Sequence, residues 1–300
     1  MSVPAAAAAP RADVRAPFLR RPLVLLVRRA WRQLRTRIGV GLVLLLVGVA
    51  VFGPFFAPHA PDAFVAAPYS KPSSTALLGT DNLGRDVLSR LLWGGRSILW
   101  LSLAATAIGL TVGVTIGLLA AYSRSLLDDV LMRAMDVILA FPSIVLALVA
   151  VATVSPKLWL LVLAVAITTT PRVARVTRGA AVEVVLRDYV RAAEAIGVKR
   201  RRILLGEILP NVTSPLMVEA SLRLTYAITL IAGLSFLGFG LQPPAADWGL
   251  MINENRQGLT VQPWGVIAPV IAIALLTVGT SLIGDGLSRA AAGIDRGADD

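Results

Sequence analysis

Catalysis needs nucleophiles, bases or metal ligands in workable numbers, and this 300-residue sequence holds a single histidine, His59, and no cysteine. Disulfides and thiolate metal sites are therefore excluded, as are a histidine metal cluster and a serine–histidine triad. No G-x-x-x-x-G-K-[ST] run occurs, so the chain has no Walker loop of its own. What remains are carboxylates and guanidinium groups placed close together. Asp81, Arg85 and Asp86 stand at spacings of four and five, from which a short interfacial helix would bring them into polar contact. Glu219 and Arg223 are four apart with the acid first, the favourable order for a helical pair. Asp136 lies about one turn after Arg133. Groups of this kind neutralise one another, anchor segments or line a polar path.

The elements that position them follow from composition. Hydrophobic residues make up 56% of the chain and charged residues 16%, with mean hydropathy +0.74. That is too apolar for a soluble surface, and uncharged runs of about 20 residues, enough to cross a bilayer as helix, account for the excess. The expected fold class is an all-α membrane protein with about six transmembrane helices. The first span is expected over residues 38–57, read as a retained helix because its polar leader is long and its apolar run exceeds a signal-peptide core. The others fall at 97–122, 130–154, 158–170, 214–239 and 266–283. Residues 1–20 read as disordered. Pro142 and Pro171 are expected to kink or end their helices. A charge at mid-membrane costs roughly 2.5–3.5 kcal/mol, so Asp136, Glu219 and Arg223 need an explanation: mutual neutralisation inside the bundle, or a polar lining.

The net charge of +11 raises nucleic acid as a partner, but the arginines cluster beside apolar spans. Arg11, Arg15, Arg20, Arg21, Arg28, Arg29, Arg32, Arg35 and Arg37 precede the first, and Arg172, Arg175, Arg178, Arg187, Arg191 and the 199–202 run follow the fourth. Basic flanks mark the cytoplasmic side. The charge reads as topology with both termini inside, and no nucleic acid is expected. The resulting division is a basic cytoplasmic leader (1–37), the first helix (38–57), an extracytoplasmic segment (58–96), a five-helix core (97–289) with a cytoplasmic loop at 172–211, and a cytoplasmic tail (290–300).

Within that loop, YVRAAEAIGVKRRRILLGEILPN at 189–211 is too polar to span and too patterned for a linker. Val182, Val185, Tyr189, Ala192, Ala193 and Ile196 recur at helical spacing and predict one apolar face. Gly197 interrupts it where positive φ suits a helix end. A second short helix through Ile203, Leu204 and Ile208 should stop at Pro210. Small Ala192 and Ala193 would let another protein approach the backbone. A helix lying among lipid headgroups is the competing reading.

This stretch resembles the EAA loop of the membrane subunits of ATP-binding-cassette importers: E-A-A, three residues, G, nine residues, then I-x-L-P. Ala192, Ala193, Gly197, Leu209 and Pro210 match, while Arg191 replaces the usual Glu and Glu207 the usual Ile or His. GTDNLGRDVLSRLLWGGRS at 79–97 resembles a segment of the dipeptide/oligopeptide/nickel permease family through Gly79, Thr80, Asp81, Gly84, Arg85, Asp86, Ser89, Arg90, Gly94, Arg96 and Ser97. DVILAFPS at 136–143 and LSFLGFGLQPPAADWG at 234–249 are similar to segments of the same family, in order. The chain is identified as a member of it, of the C-type that pairs with a B-type permease.

The resemblance implies a type I importer permease fold and one half of a translocation path for di- or oligopeptides, with nickel chelates or other small solutes as alternatives. It implies a bacterial inner or plasma membrane location and no enzymatic activity or bound cofactor in this chain, ATP and Mg belonging to partner ATPases. The implied partners are a second homologous permease, two ATPase subunits or one fused ATPase, an extracytoplasmic solute-binding protein and the lipid bilayer. Arg191, Ala192, Ala193, Gly197, Glu207, Leu209 and Pro210 would form the ATPase-coupling loop. For the 79–97 segment a structural lid and direct substrate contact both stay open. An autonomous secondary transporter would show repeated halves, which are not visible here; a non-transporting scaffold is the third class.

Overall fold

The computed structural model describes residues 21–123, 126–154 and 157–293. The leader before residue 21 and most of the expected tail lie outside them. The described residues form helices joined by loops, the longest over residues 57–86: α1 Arg21–Arg32, α2 Leu34–Phe56, α3 Val87–Ser123, α4 Leu126–Leu139, α5 Ser143–Val154, α6 Leu158–Val185, α7 Asp188–Ala195, α8 Arg200–Ile203, α9 Thr213–Phe236, α10 Trp248–Asn255 and α11 Trp264–Ala292. Five stretches are long and apolar enough to cross a membrane, and a sixth arises if α4 and α5 count as one broken span.

The central seam is α3 against α6. Gly109, Gly113, Gly117 and Ala121 recur every fourth residue on α3, and the buried residues Val173, Thr177, Ala181 and Val185 do the same on α6. Interdigitating i±4 ridges bring two backbones close only where side chains are small. A Cβ at Gly113 would stand 2.6 Å from Val173 Cβ, so the approach excludes even alanine without movement. The partner stripe on α6 lies beyond the boundary drawn at residue 170.

Several expected boundaries shift for local reasons. The fourth span runs on to Val185 through Pro171, because the 173–185 stripe remains buried on α3. Around that proline the hydroxyls of Thr169 and Thr170 donate to the Ala166 carbonyl at 2.9 and 2.8 Å. Pro171 lies inside α6 and does not end it. The third span is broken by 85° between α4 and α5, since Pro142 disfavours helical backbone at Phe141. Part of the expected leader is helix α1, an amphipathic element whose Leu26 and Ala30 pack on Leu287 and Ala290 of α11 while Val24, Val27 and Trp31 stay exposed.

The segment expected outside folds over the ends of α3 and α11. Isolated bridges Phe64–Arg85 and Thr80–Asp86 fix it, and Trp248 of α10 is buried against Gly94 and Gly95 of α3, its Nε1 donating to the Leu91 carbonyl at 2.9 Å.

Candidate functional site

The polar residues singled out by spacing fall into three separate groups: an outer knot on the side expected outside, charged pairs along the helices, and an inner ledge on the side expected inside.

In the outer knot, Asp81, Arg85, Asp86, Ser89 and Arg90 are all buried. The expected helix does not hold Asp81 and Arg85; they lie in a turn before α3, where Gly84 takes φ +81°. Asp81 Oδ1 accepts from the backbone N–H groups of Leu83 and Arg85 at 2.9 Å each, and Arg85 Nε donates to Asp81 Oδ2 at 2.6 Å. Asp86 caps the start of α3, accepting from Ser89 N at 3.0 Å and Ser89 Oγ at 2.6 Å. Thr80 Oγ1 donates to the Ala67 carbonyl at 2.6 Å.

Glu254 on α10 completes this knot. Its Oε2 accepts from Arg85 Nη2 at 3.0 Å and from Arg90 Nη2 at 2.8 Å. Arg90 also donates to the carbonyls of Pro61, Pro244 and Ala245, tying loops far apart in sequence to the head of α3. Gln262 Nε2 donates to the Leu78 carbonyl at 2.6 Å, within reach of Gly79, whose φ is +73°. Nothing local flagged Glu254 or Gln262. Their role depends on α10 and the loop before α11 returning to residues 78–90.

Along the helices, Arg223 Nε lies 2.9 Å from Glu219 Oε1, both nearly buried. Asp136 is bound by Arg175 of α6, not by its helical neighbour Arg133. One helical turn below, Arg178 makes a two-pronged contact with Asp128, both oxygens at 2.6 Å. These cross-helix pairs fasten α4 to α6 without requiring a continuous third span.

The inner ledge is residues 187–212. Arg187 adopts extended backbone (φ −70°, ψ 145°) and separates α6 from α7. This break resets the helical phase, so the six-residue apolar face expected over 182–196 does not exist as one surface. Val185, Val190, Ile203, Ile208 and Val212 are buried against Leu118 and Ala121 of α3 and Ala181 of α6. Tyr189, Ala192 and Ile196 instead point away, with Ile196 80% exposed. Arg191 is exposed, and Ala193 is half-buried.

The turn after α7 has the geometry of a Schellman cap. Val198 N–H donates to the Ala193 carbonyl and Gly197 N–H to the Glu194 carbonyl, both at 3.0 Å. Gly197 sits at φ +78° with open space around it. Pro210 does not stop the following helix. A π turn at Leu204–Ile208 and a 3-10 turn at Leu209–Val212 carry the chain into α9, because altered turns absorb the N–H that proline lacks. Glu207 lies exposed in the π turn, and Asn211 Nδ2 donates to its carbonyl at 2.6 Å and to the Tyr189 hydroxyl at 3.2 Å. Partial desolvation, and then nearby Glu207, raises the Tyr189 phenol above its ordinary value, although the side chain stays largely exposed. In the basic run, Arg200 stacks 6.0 Å from the Tyr122 ring centroid.

A ledge with one face seated on the bundle and an apolar face turned outward can bind another protein and transmit its movement to α3, α6 and α9. Among the described residues there is no cluster of histidine, aspartate or glutamate arranged to hold a metal.

Residues 113–292 match the family described as binding-protein-dependent transport system inner membrane component. The chain is 39% identical to a putative peptide transport system permease of Brucella suis, over 89% of this chain and 90% of that one. It is 39% identical to the di/tripeptide transport system permease of Pseudomonas aeruginosa, covering 84% and 86% of the two chains. It is also 38% identical to the glutathione transport system permease of Pectobacterium atrosepticum, covering 88% and 91%.

Proposed function

Because this chain belongs to the binding-protein-dependent transport system inner membrane components, the multi-pass permeases of ATP-binding-cassette importers with the type I fold, we propose that it forms half of a path for di- or oligopeptides and couples it to ATP hydrolysis by partner subunits. The exposed face of Tyr189, Ala192 and Ile196 on an otherwise seated ledge carries this reading. Docking of α7 into an ATPase cleft would move α3, α6 and α9 together through the contacts of Val190, Ile203 and Ile208. ATP and Mg would be held by those partners, and this chain would do no chemistry.

The remaining assembly is a second homologous permease, the ATPase pair or a fused ATPase, and an extracytoplasmic binding protein, all at a bacterial inner membrane with both termini cytoplasmic. Peptide cargo is supported by relatives named as peptide and di/tripeptide permeases. The outer knot fits a structural lid better than substrate contact, since Asp81, Arg85, Asp86 and Arg90 are buried and bonded to one another or to backbone. The test is purification of the chain from native membranes. Recovery with an ATPase and a second permease, followed by ATP-dependent dipeptide uptake in vesicles given the binding protein, is the expected outcome. Isolation alone, or uptake without ATP, would defeat the reading.

A further inference from the structure

The charged pair on α9 has a neighbour that helical spacing does not connect with it. The Arg223 guanidinium carbon stands 5.8 Å from the centroid of the Tyr226 ring, and that of Arg172 on α6 stands 5.7 Å from the same centroid. Two cations thus share one ring, against the single carboxylate of Glu219. The next arginines on α6 are matched, Arg175 by Asp136 and Arg178 by Asp128. Arg172 is exposed and has no carboxylate in ion-pair range among the described residues. Arg223 Nη1 is buried without a hydrogen-bond acceptor, and the Tyr226 hydroxyl makes no hydrogen bond among the described residues.

Position adds to this. Arg172 lies midway along the 28-residue α6, and Arg223 near the middle of the 24-residue α9. Arg172 also heads the basic run expected on the cytoplasmic side, so the pair stands toward that end of the bundle, where a cation turned from lipid faces the bundle interior or a water-filled path. Donors from two helices converge there in excess of the acceptors present. A carboxylate or phosphate oxygen pair is the chemistry that satisfies a guanidinium fork. We propose that Arg172 and Arg223, bracketing Tyr226, form the site on the translocation path that takes the free C-terminal carboxylate of the peptide solute. This rests on the peptide-import reading above and adds a place and a chemical group to it.

The test uses the whole complex in vesicles, with a radiolabelled dipeptide and saturating loaded binding protein. Arg172→Gln should reduce maximal uptake on the order of tenfold, the scale of a lost charge-assisted hydrogen bond. Arg172→Lys should keep most of it, with both variants still recovered with the second permease and the ATPases. Undiminished uptake by Arg172→Gln would overturn the proposal. So would loss of the second permease from the Arg172→Gln complex, which would make Arg172 a subunit contact. If the deficit is present in vesicles containing phosphatidylglycerol and absent in pure phosphatidylcholine, the anion is a lipid phosphate and the proposal also fails. Absence of ATP-dependent uptake by the wild-type complex would instead strike the import reading itself.

Discussion

Arg96 Nε on α3 donates to the backbone oxygen of Ala50 on α2 at 2.9 Å. Ala50 is four residues before Pro54, which lies inside α2, so this is the carbonyl that the missing proline N–H leaves without a helical donor. Arg96 Nη2 reaches the next carbonyl, that of Val51, at 2.8 Å. A proline in one membrane helix is thereby repaired by an arginine from another, and the repair joins the first span to the central one.

Removing that donor should cost about 1–2 kcal/mol, the penalty for an unsatisfied carbonyl. Arg96→Met is expected to lower the thermal denaturation midpoint of the purified complex. In a Pro54→Ala background, where the helix supplies its own donor, the same change should cost less. Equal costs in both backgrounds would refute the repair.

The α3–α6 seam makes a steric prediction. Gly113→Ala places a methyl 2.6 Å from Val173 Cβ and should destabilise by about 1–3 kcal/mol through overpacking. Gly41→Ala on α2, with nothing within 4 Å of the new methyl, should be neutral or mildly stabilising. Comparing the folded fraction of the two variants in membranes checks this.

In the outer knot, Glu254→Gln removes the anion shared by Arg85 and Arg90, which are 3% and 0% exposed. Stripping a buried charge of its only partner costs about 3–5 kcal/mol, and the cost here is smaller because Asp81 still faces both guanidinium groups. The expected result is a drop in folded protein, with Glu254→Asp intermediate. A Glu254→Gln protein of normal stability but failed uptake would show that the knot touches solute.

At the ledge, Gly197 needs a left-handed backbone and little else, since no atom lies within 4 Å of an added Cβ. Gly197→Asn, tolerant of that conformation, should retain uptake, whereas Gly197→Val should distort the turn and lose it. Normal uptake by Gly197→Val would remove the turn from the coupling path.

Much of this architecture was legible in sequence, and the misses have two causes. Composition fixed an apolar helical bundle, and Gly197 announced its turn through conformational need. Glu219 and Arg223 met as their spacing implied, because that contact lies within one helix. Glu254 with Arg90, Arg172 with Tyr226, and Arg175 with Asp136 join different helices, and no local period encodes them. The apolar face over residues 182–196 failed differently. A single extended residue, Arg187, changed the phase and turned Tyr189 and Ile196 outward.

The absence of cysteine from the chain makes the coupling claim directly measurable. In an Ala192→Cys variant the introduced thiol is this subunit's only one, on the exposed face of α7. The account predicts that maleimide labels residue 192 readily in the permease alone, and that assembly with the ATPase subunits protects it. Labelling at the same rate with and without the ATPase subunits would contradict the docking of α7.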